Sequence, residues 1–205
     1  MKGFIRDKNT YILVFLVSVF SVYNFVIWEQ ISVIQRFVVV FAIFAALHEI
    51  EEKVWPAGFC ELMLKKLGAN TQDPSVYMAT LPVTIYWIVM LSGIYYWHSH
   101  AFLLVILIVL SFMEAFVHTV GIKIHNMQKP YTPGLVTAWG MTAVAITALR
   151  HLTSHDLVHG GGYVLGTVMM FVSFAIMGYF VYKPTGVNPM NMAKEILSEK
   201  RSSNC

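Results

Sequence analysis

The sequence predicts an all-α, polytopic membrane bundle of about six transmembrane helices with both termini cytoplasmic. Three observations carry that prediction. Of the 205 residues, 57% are hydrophobic and only 12% are charged, where soluble domains carry about 25% charged residues. Apolar runs of roughly bilayer length, about 20 residues, recur along the chain. Lysines and arginines collect in alternate loops, as the positive-inside rule requires of a cytoplasmic face.

The same numbers exclude other classes. The formal charge of +3 comes from loops and tails rather than a basic patch, so no nucleic-acid partner is expected. The two cysteines, Cys60 and Cys205, form no CxxC pair. A disulfide framework and a thiolate zinc site are therefore not expected.

Residues 1–190 read as a single bundle and 191–205 as a cytoplasmic tail. The first span, near 11–28, follows Lys2, Arg6 and Lys8. No small-residue cleavage site follows it, so it is expected to be a retained helix. Only Glu29-Gln30 separates it from the second span, near 31–52, which implies a tight hairpin. Pro56 ends that helix. Phe59 to Leu67 then reads as a short interfacial helix, with Phe59, Leu62, Met63 and Leu67 on one side and Glu61 and Lys65 on the other. Gly68-Ala69-Asn70 stops it, and Asp73-Pro74 launches a third span near 75–97. A fourth span lies near 101–125. Thr132-Pro133 launches the fifth, near 134–150, and the sixth lies near 160–182. Lys53, Lys65, Lys66, Lys123, Lys129, Lys183, Lys194, Lys200 and Arg201 fall on the N-terminal side of the membrane, and the opposite loops hold little beyond Arg150. The expected location is a bacterial inner membrane, with the lipid bilayer as partner.

Two stretches carry chemistry. Leu47-His48-Glu49-Ile50-Glu51-Glu52-Lys53 follows an apolar run, and His48, Glu51 and Glu52 at i, i+3 and i+4 share one helix face. In the fourth span, Glu114, His118 and His125 fall at i, i+4 and i+11 along one stripe. Both spans run the same way across the membrane, so the two polar faces reach similar depth. Ionisable groups in such positions are costly unless they work.

Imidazoles and carboxylates without thiolates suit Zn or Fe, as one or two ions. The expected ligands are His48, Glu51, Glu114, His118 and His125, with Glu52 as ligand or base. Glu49 or Glu52 can act as general base, and Asn126 can orient substrate or hold an oxyanion. The fifth span opens at Pro133-Gly134 and offers free amides to an anion such as a phosphate head group. His151, His155 and His159 with Asp156 repeat at helical spacing, but Gly160-Gly161-Gly162 follows them and a solvated loop is expected. His98 and His100 likewise read as loop residues. Tyr95, Tyr96 and Trp97 read as an interfacial belt, and Tyr77, Tyr86 and Trp139 as bundle packing.

With these residues the chain resembles the uncharacterised integral membrane family named for its HxxEE motif, here His48, Glu51 and Glu52. The likeness continues through Trp55-Pro56-Ala57-Gly58-Phe59, Glu114 with His118, and Tyr131-Thr132-Pro133-Gly134-Leu135-Val136-Thr137-Ala138. A looser likeness is to the CAAX-type (Abi) intramembrane proteases, whose Glu-Glu pair Glu51-Glu52 matches and whose asparagine Asn126 offers. The arginine expected three to four residues after that pair is missing, and Glu114 rather than Phe stands four before His118.

The function expected is a membrane metal-dependent enzyme acting on a lipid-like or amphipathic substrate near the cytoplasmic leaflet. Hydrolysis is placed ahead of oxygen-dependent di-iron chemistry. A glutamate intramembrane protease is a further alternative. An ion- or proton-coupled transporter could use the same groups as a relay, although no inverted repeat is visible.

Overall fold

A computed structural model describes residues 2–66, 78 and 80–185. Leu67, the Gly68–Asn70 stop, the Asp73-Pro74 cap, Tyr77 and the tail from 191 lie outside the described residues. Among the described residues helices are the only regular elements: α1 (Lys2–Val26), α2 (Val33–Lys53), α3 (Phe59–Lys66), α4 (Thr80–Tyr96), α5 (Leu104–Ile124), α6 (Leu135–Ser154) and α7 (Gly160–Thr185). Five helices, α1, α2, α5, α6 and α7, are long and apolar enough to cross a membrane. The 17-residue α4 is apolar but shorter. This is a helical membrane protein, as the composition predicts.

The α1–α2 hairpin closes through a short 3-10 turn, Trp28–Gln30. Ser32 then caps α2: its hydroxyl accepts the Gln35 amide while the Gln35 side chain accepts the Ser32 amide. Arg36, in the first turn of α2, stays at this end. Its Nε donates to the Trp28 carbonyl at 3.1 Å, and its guanidinium lies over the Trp28 ring, 5.3 Å from the centroid. This arginine stands on the side where the loops were expected to be almost free of basic residues, and the hairpin turn holds it there.

Small residues let the central helices approach closely, the usual device where lipid offers no hydrophobic drive between helices. Ala42 and Ala45 on α2, and Ala138, Ala145 and Ala148 on α6, are all buried, with Val38, Phe41, Leu104, Leu107 and Met141 filling the core. Thr142 of α6 donates to its own helix at Ala138 (3.0 Å) and lies 3.1 Å from the Ser111 carbonyl of α5, so its hydroxyl stays satisfied in the apolar interior. α6 packs on both α2 and α5, and α7 packs on α5 and α4. Tyr86 is buried packing, as expected, whereas Trp139 lies exposed on the outer face.

α2 and α5 end on the same side of the bundle, where α6 begins. Beyond α2, the chain reverses through a cis Trp55-Pro56 bond and positive φ at Ala57 and Gly58. That turn lays α3 across the end of the bundle. Its inward side is Phe59, Cys60, Met63 and Leu64, a face turned from the expected Phe59, Leu62, Met63 and Leu67. α6 starts at Leu135 with Gly134 as its N-cap, two residues later than the Thr132-Pro133 start read from sequence. Thr132 instead donates its hydroxyl to the His118 carbonyl at 2.9 Å.

Close approach of α7 to α5 depends on Gly166. A Cβ there would stand 2.7 Å from the Phe102 carbonyl oxygen and 2.7 Å from Val105 Cβ, and backbone cannot turn aside. A Cβ at Gly140 would meet only the Phe44 ring, which can rotate. Gly166→Ala should therefore lower the melting temperature in detergent by more than Gly140→Ala, with an overpacking cost of about 1–3 kcal/mol. Equal melting temperatures for the two variants would contradict this packing.

Candidate metal centre

Five ionisable residues within the last six positions of α2 are buried: His48, Glu49, Glu51, Glu52 and Lys53. At about 100° per residue, Glu52 lies about 40° from His48 on one side and Glu51 about 60° on the other. The shared face of the motif therefore splits. Glu52 turns toward α5 and Glu51 toward α6.

On the α5 side, His48, Glu52 and His118 each offer one ligand atom, and those atoms all lie within 4.8 Å of one another. Glu52 Oε1 is 3.0 Å from His118 Nε2 and 3.5 Å from His48 Nε2. Glu114, one turn before His118 on α5, places Oε2 at 3.8 Å from both nitrogens. The two imidazoles stand edge to face, 5.0 Å apart at 89°.

Their outer nitrogens fix which inner atoms carry lone pairs. His48 Nδ1 is 3.1 Å from the Gly134 carbonyl, which can only accept, so Nδ1 carries the hydrogen. His118 Nδ1 faces the Thr132 hydroxyl oxygen at 3.4 Å, and that hydroxyl has already given its proton to the His118 carbonyl. In the neutral rings both Nε2 atoms therefore present lone pairs inward, toward carboxylate oxygens. His118 Nε2 is fully buried and makes no hydrogen bond. Acceptors facing acceptors at these distances call for a cation or a proton among them, and two imidazoles with one carboxylate match a divalent-metal donor set.

On the α6 side, Glu51 is saturated with donors. Its Oε1 accepts from Tyr131 Oη at 2.7 Å and from the Val136 amide at 3.2 Å. Its Oε2 accepts from the Thr137 amide at 2.9 Å and the Thr137 hydroxyl at 2.5 Å. The α6 amides read from sequence as an anion site thus already hold Glu51. Gly134 has no side chain to cap α6, and Glu51 supplies the missing acceptor from α2. Burial and this bond to Glu51 push the Tyr131 phenol above its ordinary range.

A family described as protein of unknown function with HXXEE motif matches residues 38–149, more than half of the chain. The chain belongs to that family. No curated protein and no solved structure matches it. The match spans every residue of the cluster, from the HXXEE motif itself to Glu114, His118 and the start of α6.

The other residues singled out from sequence are not members of the His48–Glu52–His118 group. Glu49 forms a buried ion pair with Lys53 one turn on, and both line the cavity beside the cluster. His125 caps the C-terminus of α5. It keeps to the stripe of His118 but about 10 Å further along the helix. Asn126 takes a left-handed conformation (φ 48°). Its amide donates to the Lys123 carbonyl while the Met127 amide returns to Ile122, a Schellman close to α5. At the opposite end of the bundle His151 and His155 stack at 4.3 Å, His155 Nδ1 donates to the His151 carbonyl, and Asp156 and His159 are exposed. His98 Nδ1 lies 3.2 Å from the Ser32 hydroxyl.

Sequence reasoning named Thr132, Gly134 and Thr137 only as parts of the α6 start and of the family string, and missed their contacts with His48 and His118. The signal for Gly134 was the loop-to-helix position; it sits at φ +97°, and a Cβ there would stand 2.4 Å from His118 Cε1, 2.8 Å from His118 Nε2 and 2.9 Å from Glu52 Cγ. Phe59 of α3 covers the other side of His118, ring to ring at 4.2 Å. Gly134→Ala should cost at least the about 1–2 kcal/mol of a left-handed non-glycine residue, lowering the melting temperature in detergent, and it should displace His118 and shift its imidazole NMR signals. A Gly134→Ala variant with unchanged melting temperature and unchanged His118 signals would contradict this close approach.

Proposed function

We propose that this HXXEE protein is an integral-membrane metalloenzyme that hydrolyses a lipid-like or amphipathic substrate at a single divalent ion. The observation that supports the reading is the inward convergence of the Nε2 atoms of His48 and His118 with Glu52, none of them exposed to solvent by more than a tenth. Three protein ligands leave a coordination position open, the pattern of catalytic rather than structural zinc. When bound, such an ion polarises a carbonyl or phosphoryl oxygen and lowers the pKa of a coordinated water to about 7.

The chain's own residues divide the remaining work. His48, His118 and Glu52 are the proposed ligands. Glu114 stands 3.8 Å from both histidine nitrogens, far enough back to receive a proton from a group lying between, and is the proposed general base. Glu51, first read as a ligand, is committed to α6. With Glu49 paired to Lys53, no second cluster of three such residues appears among the described residues, which favours one ion over two. A cavity of about 560 Å³ opens above the cluster, within the range of small-molecule sites. His48, Glu52 and Glu114 form its polar base, and Trp87, Met113, Phe174 and Tyr182 are among its walls. An acyl chain fits such walls, and its polar end would meet the ion. The lysine distribution favours the cytoplasmic leaflet, as in a bacterial inner membrane.

Two histidines and one carboxylate are also the facial triad of non-haem iron enzymes, so oxygen-dependent oxidation is the second reading. Metal analysis of the purified protein should find about one zinc or iron per chain, lost in His118→Ala. Glu114→Gln should keep the metal and lower hydrolysis of a long-chain p-nitrophenyl acyl ester by about 10²–10⁴-fold, the usual worth of a positioned base. Iron with an absorbance change on exposure to oxygen would move the assignment to the oxidative branch. A metal-free protein that retains esterase activity would overturn the metalloenzyme. Proton flux in liposomes without turnover would make the cluster a relay.

A further inference from the structure

Glu51 belongs to the family motif and yet faces away from the ligand cluster. We infer that Glu51 and Thr137 form a positioning relay that holds His48 as its Nδ1–H tautomer and so keeps Nε2 as the inward ligand; this rests on the metal site proposed above. The geometry runs through one hydroxyl. Thr137 Oγ1 is 2.5 Å from Glu51 Oε2, 3.2 Å from the Gly134 carbonyl and 3.0 Å from His48 Nδ1. A hydroxyl has one proton to give, and the shorter contact to a charged acceptor takes it. The oxygen lone pairs then face His48 Nδ1, which must donate. The Gly134 carbonyl, 3.1 Å from the same nitrogen, asks for the same hydrogen.

Glu51 is held so that it cannot leave this role. Both its oxygens accept backbone amides from the first turn of α6, Val136 at 3.2 Å and Thr137 at 2.9 Å. Tyr131 closes the remaining approach at 2.7 Å. The carboxylate–hydroxyl–imidazole chain is therefore a longer form of the carboxylate–histidine–metal arrangement that fixes ring orientation in metal sites, where losing the outer partner typically weakens metal binding 10–100-fold. The HxxEE spacing acquires a reason: Glu52 reaches the site from one side of His48, and Glu51 steers His48 from the other.

The test reads the histidine directly. In ¹⁵N-histidine-labelled protein without metal, with His48 assigned from the spectrum of His48→Gln, two-bond nitrogen–proton correlations should show His48 as the Nδ1–H tautomer. Thr137→Ser should preserve that pattern and bind zinc within about threefold of the unsubstituted protein. With the Thr137 acceptor removed or loosened, the Gly134 carbonyl alone holds the ring hydrogen against the Glu52 and Glu114 carboxylates on the Nε2 side, so Thr137→Val and Glu51→Gln should each shift part of the population to the Nε2–H form and weaken zinc binding 10–100-fold. Should Glu51→Gln fail to fold, the Thr137→Ser and Thr137→Val pair decides the matter. His48 found as the Nε2–H tautomer in the unsubstituted protein, or a Thr137→Val variant that matches it in both tautomer and zinc affinity, would overturn the relay. A protein that binds no zinc but shows the Thr137-dependent tautomer would overturn the metal reading and leave the relay standing.

Discussion

Five ionisable side chains at the end of one apolar helix must be satisfied with almost no water, and the rest of the structure answers to that constraint. Buried charges are tolerated when paired and hydrogen-bonded and are costly otherwise. The end of α2 meets the requirement by dividing its polar arc among neighbours. Glu51 goes to the first turn of α6 and to Tyr131. His48 reaches the Gly134 carbonyl and Thr137 on one edge, and Glu52 reaches His118 of α5 on the other. Glu49 takes Lys53. The dependence is mutual: α6 begins at a glycine because His118 and Glu52 crowd that backbone, and a glycine start leaves the α6 amides needing an acceptor from elsewhere. Glu51 is that acceptor.

The two halves of the motif end in opposite electrostatic states, and this separates structure from chemistry. Glu51 collects four donors, and a hydrogen bond to a charged group is worth about 1.5–3 kcal/mol. That half is complete and anchors α2 to α6. The other half brings imidazole lone pairs against carboxylate oxygens, with His118 Nε2 buried and unbonded. A buried polar atom without a partner costs about 1–3 kcal/mol, a penalty that a fold tolerates where a ligand or proton repays it. Both arrangements come from neighbouring carboxylates of one helix turn, so rigidity on one side supports the unsatisfied, buried cluster on the other.

Much of this was legible in the chain. The membrane spans followed from apolar run length, and the meeting of α2 with α5 followed from the alternation of the crossings, which put His48, Glu52 and His118 at similar depth with Glu114 about one turn deeper. The division of labour between Glu51 and Glu52 was not legible, because i+3 and i+4 both count as the same face until a neighbour on each side chooses between them. His125 shows the matching difficulty along the axis: a position seven residues past His118 keeps the stripe but moves about 10 Å away. Asn126 read as a catalytic amide because asparagine after histidine is chemically suggestive, whereas its backbone needed the left-handed turn that ends α5. Gly134 was noticed only for its backbone amides and Thr137 only as part of the family string, because neither carries an ionisable group, although Thr137 reaches His48 Nδ1 and Gly134 packs against His118.

The depth of the cluster also bears on what the proposed enzyme would act upon. The ligands sit in the last turns of two spans, and Glu114 lies about 6 Å deeper than His118 along α5. The cavity continues from there between α4 and α7, past Trp87 and Phe174, into the apolar part of the bundle. α3 lies across the polar end, with Phe59 on His118 and Met63 and Leu64 facing the cavity. A substrate that is polar throughout would gain nothing from those walls, and a plain hydrocarbon would leave the cluster without a partner. An amphiphile whose reactive group lies between head and chain would satisfy both ends of the proposed site at once, because the polar cluster closes one end of an otherwise apolar cavity.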